Sequence, residues 1–196
     1  MSKANLLDRR RVVASLLADR KGAIAVGGLG ASTYDIAAAG DHDRNLYLWG
    51  AMGGAVMIGL GLALAQPKLP VVVITGDGEM LMGLGSLATV GLQQPKNLAI
   101  VVLDNESYGE TGGQTSHTAA AVDLVGVARA CGIADSRSLA TLGEIESFAK
   151  GLQDVGSGPR FANVKIDAAN LDRVLSNRDG MFVLTRLRAS LGFRPI

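Results

Sequence analysis

Residues 71–114, VVVITGDGEMLMGLGSLATVGLQQPKNLAIVVLDNESYGETGGQ, decide how the whole chain is read. Residues 71–75 and 99–103 are short β-branched or aliphatic runs without polar alternation, the pattern of strands covered on both faces. About fifteen residues between them read as helical, so the unit is strand, loop, helix, strand, and such a crossover makes the strands parallel. Ligands of open parallel sheets bind just past the carboxyl ends of the strands. Two polar loops fall there: Gly76-Asp77-Gly78-Glu79 after the first strand, and Asp104-Asn105-Glu106-Ser107 after the second.

The chemistry of these loops is specific when they are taken together. Glycines let a backbone approach a ligand, and the N–H groups of Gly78 and Glu79 stand where a helix begins, where unpaired amides favour an anion such as a phosphate. Asp77 and Asn105 supply hard oxygen donors, which suit an Mg2+ that keeps some water and takes its remaining ligands from a diphosphate. Taken alone, either loop is a turn first, an Asx turn closing a strand. In this order and together they point to a metal–diphosphate site.

GDG followed after twenty-five residues by DN, and then by Glu-Ser-Tyr-Gly, resembles the diphosphate-binding motif of the thiamine diphosphate (ThDP) enzymes. The likeness extends through NLYLWGAMGGAVMIGLGLALA (residues 45–65) and the YGETGGQ loop, and it is densest over residues 45–114. Within the family the chain is similar to sulfopyruvate decarboxylase β subunits and to the matching half of phosphonopyruvate decarboxylases. The resemblance implies an α/β fold, a doubly wound, mostly parallel sheet with helices on both faces, in a single diphosphate-binding domain over residues 1–196. It implies Mg2+ held by Asp77, Asn105 and the backbone carbonyl of Ser107. Cofactor contacts carry over to Ser32, Gly50, Met52, Gly76, Asp77, Gly78, Glu79, Asn105, Ser107, Tyr108 and Gly109. Among these, the Gly50 carbonyl would accept a hydrogen bond from the aminopyrimidine, and Met52 would wedge the cofactor into its bent form.

The implied activity is non-oxidative decarboxylation of a 2-oxo acid to an aldehyde, with the cofactor as electron sink. Gln114 and His117 are the candidates to hydrogen-bond or protonate a reacting carbonyl. Glu110 stands where the resemblance leads one to expect a small serine, and an unpaired carboxylate there would repel a doubly anionic 2-oxo acid. The family binds its cofactor between two domains, and an activating glutamate comes from the pyrimidine-binding one. This chain has room for only the first, so a pyrimidine-binding α subunit is the expected partner. A carboligase, a 2-oxo acid oxidoreductase β subunit and a non-catalytic nucleotide-binding assembly subunit remain alternatives, although the oxidoreductase subunits usually carry cluster cysteines.

Composition agrees with one enzyme domain. The 196 residues are 48% hydrophobic with 26 glycines, enough for one core with many tight loops. A net charge of +1 leaves no electrostatic footprint for nucleic acid or an anionic membrane, and Arg9-Arg10-Arg11 read as the solvated face of a helix. The single cysteine, Cys131, in an apolar setting reads as a buried thiol. Arginines and an aspartate interrupt any signal-peptide core, so a cytoplasmic location is expected, and residues 51–65 are too short to span a bilayer and read as a buried helix.

The remaining elements follow by periodicity. A helix with its apolar stripe at Leu6, Leu7, Val12, Val13, Leu16 and Leu17 is expected to end near Lys21-Gly22, and strands over 23–26 and 46–49, with Ser32 or Thr33 capping the helix after the first strand. Residues 108–117 read as a loop over the substrate, 122–131 as a helix opened by Asp123, and 142–152 and 181–191 as further helices. Residues 160–166 read as a last strand near an edge.

Overall fold

The computed structural model describes residues 6–194; the ends of the expected 1–196 domain, residues 1–5 and 195–196, lie outside it. In chain order the strands are β1 (Ile24–Gly27), β2 (Asn45–Tyr47), β3 (Val71–Gly76), β4 (Leu98–Asp104), β5 (Ser107–Tyr108), β6 (Gln114–Thr115), β7 (Asp135–Leu139) and β8 (Arg160–Lys165). The helices are α1 (Arg9–Leu17), α2 (Ala31–Ala38), α3 (Ala55–Ala65), α4 (Asp77–Met82), α5 (Ser86–Gln93), α6 (Leu124–Ala130), α7 (Leu142–Lys150) and α8 (Gly180–Ser190). Six strands form one sheet in the order β2-β1-β3-β4-β8-β7, and every neighbouring pair is parallel. The short β5 and β6 make a separate antiparallel hairpin.

The missing alternation in the two deciding strands now has its cause. Val72, Ile74, Val101 and Leu103 enter one core with residues of α1, α2 and α7, while Val71, Val73, Ile100 and Val102 enter a second core with residues of α3, α5 and α6. Both faces are covered, so a polar residue at any of these positions would forfeit about 1.5–3 kcal/mol of burial on one side or the other. Winding reverses between β1 and β3: β2 pairs with one edge of β1 and β3 with the other. That reversal opens a crevice beyond the C-terminal ends of the two strands.

Several expectations change. The helix between β3 and β4 is two, α4 and α5, broken where Gly83 lies against the backbone of Gly53; a Cβ on Gly83 would stand 3.0 Å from the Gly53 carbonyl carbon. The strand at 160–166 is not near an edge, because β7 pairs outside it. Nor is residue 51–65 one buried helix: α3 starts at Ala55 and leaves Met57 and Leu64 exposed. Ser32 and Thr33 sit inside α2, whose N-cap is Gly30 in the left-handed region (φ 75°) with no side-chain cap. The Thr33 hydroxyl instead donates to the Gly28 carbonyl at 2.7 Å.

Arg9 is not solvated but buried, and Cys131 is half-buried at the end of α6 rather than buried. Residues 108–117 are not one loop but the β5–β6 hairpin with a 3-10 turn over Gly109–Thr111. The helix opened by Asp123 is present, and Asp123 accepts from the Val125 N–H at 3.0 Å. No helix among the described residues is long and apolar enough to cross a membrane.

Candidate functional site

A cavity of about 370 Å³ lies beyond the carboxyl ends of the sheet, lined by residues of the loops after β1, β3, β4 and β8. Parallel pairing sets Gly76 beside Leu103, so Asp77 and the Asp104-Asn105 pair leave adjacent strands at the same level. Asp77 is 1% exposed and opens α4. It is not the surface-loop residue that a GDG turn suggests. Its carboxylate accepts from the hydroxyl of Ser116 and lies 3.1 Å from that of Thr118. Burial pushes the Asp77 carboxyl above its ordinary range, and the neighbouring Asp104 adds to the push.

Asp104, also 1% exposed, is neutralised differently: Lys165 Nζ is 2.8 Å away and the Asn163 amide donates at 2.9 Å. Asp77 has no Lys, Arg or His within ion-pair distance among the described residues. A buried carboxylate answered only by hydroxyls suits a bound cation, which would repay the desolvation. Asn105 lines the cavity, and its Oδ1 accepts from the Ser107 N–H at 3.1 Å, an Asx turn that fixes the amide in place. The second lone pair of that oxygen stays available. No group of three His, Cys, Asp or Glu side chains that could hold a metal occurs among the described residues. Asp77 and Asn105 both line the cavity, so it presents one carboxylate and one side-chain amide, hard oxygen donors that a divalent cation would complete with ligand or water oxygens.

The hairpin closes over this floor. Its Tyr108 ring lies against Gly78, where a Cβ would stand 2.6 Å from the ring, so the glycine permits that contact. Ser116, at the hairpin's end, reaches down to Asp77. Tyr108, Gly109, Glu110 and Ser107 all line the cavity.

Glu79 is 4% exposed, and its carboxylate accepts from the Thr75 hydroxyl at 2.7 Å, the Leu29 N–H at 3.0 Å and the Gly53 N–H at 3.3 Å. It therefore clamps the loop after β1, the loop before α3 and β3 together, and burial raises its pKa despite those bonds. Met52, on the clamped loop, lines the cavity, and the residue before it, Ala51, is held at φ 56°. Gly50 is exposed and outside the lining.

Of the candidate catalytic residues, only Glu110 is brought to the cavity. Its carboxylate is 3.9 Å from the guanidinium of Arg173, which also lies 5.6 Å over the Tyr34 ring. Gln114 spends its amide on Thr111, donating to its carbonyl at 3.0 Å and accepting from its hydroxyl at 3.0 Å. His117 is exposed, with Nδ1 3.1 Å from the Tyr108 hydroxyl.

A model of the thiamine pyrophosphate enzyme, C-terminal TPP binding domain matches residues 29–166, from the loop after β1 to the end of β8. The chain belongs to the thiamine pyrophosphate enzyme family. It is 34% identical over 181 residues to the β subunit of sulfopyruvate decarboxylase from Methanothermobacter thermautotrophicus, covering 92% of this chain and 94% of that one. It is 41% identical over 163 residues to phosphonopyruvate decarboxylase from Streptomyces viridochromogenes, covering 83% of this chain but 39% of that enzyme, so the chain spans about two fifths of that relative's length. Benzoylformate decarboxylase from Polynucleobacter necessarius has the same fold, with a TM-score of 0.69 at 21% identity over 84% of this chain and 34% of that one.

Three features of this TPP-binding domain were not read from its sequence. The side chain of Glu79 is one, since the motif draws attention to its amide. Ser116 and Thr118 are another: hydroxyls in a polar loop carry no signal until the hairpin folds them onto Asp77. The third is Arg9, hidden in a run of three arginines that resembles a solvated face.

Proposed function

We propose that this chain, as one domain over residues 1–196, is the diphosphate-binding subunit of a ThDP- and Mg2+-dependent 2-oxo acid decarboxylase, located in the cytoplasm and working with a pyrimidine-binding partner. The observation that carries the reading is the convergence of Asp77, Asn105 and Ser107 on one cavity at the reversal of the sheet. The names of the relatives, a sulfopyruvate decarboxylase β subunit and a phosphonopyruvate decarboxylase, support the reaction and the need for a partner.

When bound, ThDP would supply an electron sink for the electrons left on the 2-oxo carbon as CO2 departs. The chain's own residues bind and orient. Asp77, Asn105 and the Ser107 carbonyl would hold Mg2+, and the backbone at Gly76, Gly78 and Glu79 would face the diphosphate. Ser32, Tyr108 and Gly109, which line the cavity, would close it around the diphosphate, and Met52, on the loop that Glu79 anchors, would support the cofactor. Gly50, exposed beside the cavity, would offer its carbonyl to the aminopyrimidine where the partner completes the site. Glu110, balanced by Arg173, sets the charge at the entrance for a small 2-oxo acid.

The partner is inferred from what the local glutamates are doing. Activating the cofactor's aminopyrimidine takes a carboxyl group at a ring nitrogen. Glu79 is committed to three loop donors, Glu106 to Lys165 at 2.6 Å, and Glu110 to Arg173. None is left for that task. Calorimetry should show ThDP binding that disappears with EDTA, and decarboxylation should appear only when the partner is added. Turnover of a 2-oxo acid by the isolated chain would overturn the split site.

A further inference from the structure

The run Arg9-Arg10-Arg11 is where surface expectation and structure part most. Arg9 is only 9% exposed, and it lines the cavity that holds Asp77 and Asn105. The backbone brings it there, since Leu7 bridges Ile166 just past β8 and α1 packs along α2, whose first turn contains Ser32. Arg9 Nε is 3.3 Å from Asp35 Oδ2, and Arg10 Nε is 3.5 Å from Asp35 Oδ1, neither in hydrogen-bonding geometry. Asp35 itself is 0% exposed. Two guanidinium groups thus face one carboxylate, and burial pushes that carboxyl up to about 6 in spite of them. Positive charge is left over.

The two arginines divide the work. Arg10 donates to the Asp172 carbonyl, tying α1 to the segment after β8, and does not line the cavity. Arg9 Nε has no hydrogen-bond partner among the described residues. A buried arginine that lines a cavity, with excess positive charge shared at Asp35, offers guanidinium donors to a planar or tetrahedral oxyanion. Arg9 also lies outside residues 29–166, so the family match does not assign it a role.

We infer that Arg9 binds the terminal phosphate of the cofactor's diphosphate. The inference rests on the ThDP reading of the cavity and adds to it a residue from outside the GDG and DN loops. Mg2+ shared with Asp77 and Asn105 answers only part of a diphosphate's charge, and the terminal group carries the most uncommitted oxygens. Glu110 and Arg173, which line the same cavity, are exposed, whereas Arg9 is buried.

The test is calorimetry on the full chain with Mg2+ and three probes: inorganic pyrophosphate, ThDP and thiamine monophosphate. Arg9→Met should weaken pyrophosphate and ThDP by about tenfold or more while changing thiamine monophosphate by less than about twofold. Arg10→Met, which removes the other guanidinium facing Asp35 and also the tie to the Asp172 carbonyl, should cost less than about threefold. Unchanged ThDP and pyrophosphate affinity in Arg9→Met overturns the assignment, and so does an equal loss in Arg10→Met, which would place the effect in Asp35 packing. Melting curves without ligand check the fold of each variant. Should Arg9→Met not fold, Arg9→Lys keeps the charge and loses the fork; a loss of several-fold is expected, and full affinity refutes the assignment. Wild type that binds neither ThDP nor pyrophosphate defeats the ThDP reading itself, an outcome distinct from failure at Arg9 alone.

Discussion

Asp77 and Glu110 line the same cavity, yet they are held on different terms. Asp77 sits on the floor, 1% exposed, at a level fixed by the register of β3 against β4, and the hydroxyls of Ser116 and Thr118, just past the hairpin, converge on it. Glu110 sits on the rim, on a 3-10 turn with none of its residues buried, and its one cationic partner is itself largely exposed. The floor is determined by the sheet, so every member constrains its neighbours. The rim is determined by a short hairpin, so its side chains can change with little cost to the rest. Chemistry common to a family belongs on the first kind of surface, and selectivity between substrates on the second.

The largest effect should come from the floor. Asp77→Ala removes the only carboxylate proposed for Mg2+ and should weaken ThDP binding by about a hundredfold or more, by calorimetry with Mg2+ present. Its fold should survive, because the lost carboxylate is already disfavoured by burial. Normal ThDP affinity in this variant would erase the distinction between floor and rim.

Glu79 tests whether the floor is cooperative. Glu79→Ala leaves the Leu29 and Gly53 N–H groups and the Thr75 hydroxyl without their shared acceptor, which should cost about 2–4 kcal/mol in urea unfolding. A loss below about 0.5 kcal/mol would show that the three loops hold together without the clamp.

How much of this was legible follows from where each residue's partners lie. The two deciding strands were readable because covering both faces of a strand removes polar residues from it, a mark that survives in one dimension. GDG and DN were readable because each motif is contiguous and the register of two neighbouring strands does the rest. β7 was not: DSRSL buries only Ser136 and Leu139, so as a short edge strand it looks like a polar linker. Arg9 failed for a related reason. Its burial depends on Asp35, which is distant in sequence, and three consecutive arginines carry no sign of which one turns inward. The role of Glu79 was hidden because its three partners come from three separate loops.

On the rim, Glu110→Ser restores the residue type that the resemblance led one to expect and frees Arg173. The variant should bind a doubly anionic 2-oxo acid more tightly, lowering KM by about twofold to fivefold with kcat nearly unchanged, because an exposed pair at 3.9 Å is worth about 1 kcal/mol at most. The assay is steady-state kinetics of the reconstituted enzyme with sulfopyruvate against pyruvate. An equal change for both substrates would mean that Glu110 does not read the distal charge.

The smallest effect belongs to the two residues that looked catalytic in the sequence. Gln114 is exposed and turned back onto Thr111, while His117 is exposed and meets only the Tyr108 hydroxyl, with the two rings edge-on at 6.4 Å between centroids. Neither lines the cavity. Their hydrogen bonds stiffen the hairpin, and an exposed neutral hydrogen bond contributes about 0.5–1 kcal/mol. Gln114→Ala and His117→Ala should therefore change kcat/KM of the reconstituted enzyme by no more than about threefold. Tyr108→Phe separates the two ways in which His117 could matter. If His117 acts only by bracing Tyr108, the phenylalanine variant reproduces its small effect, because it removes the same bond and keeps the ring over Gly78. A loss of more than about a hundredfold in His117→Ala, with Tyr108→Phe near wild type, would mean that the hairpin swings inward when substrate and partner are present, and it would return His117 to the chemistry.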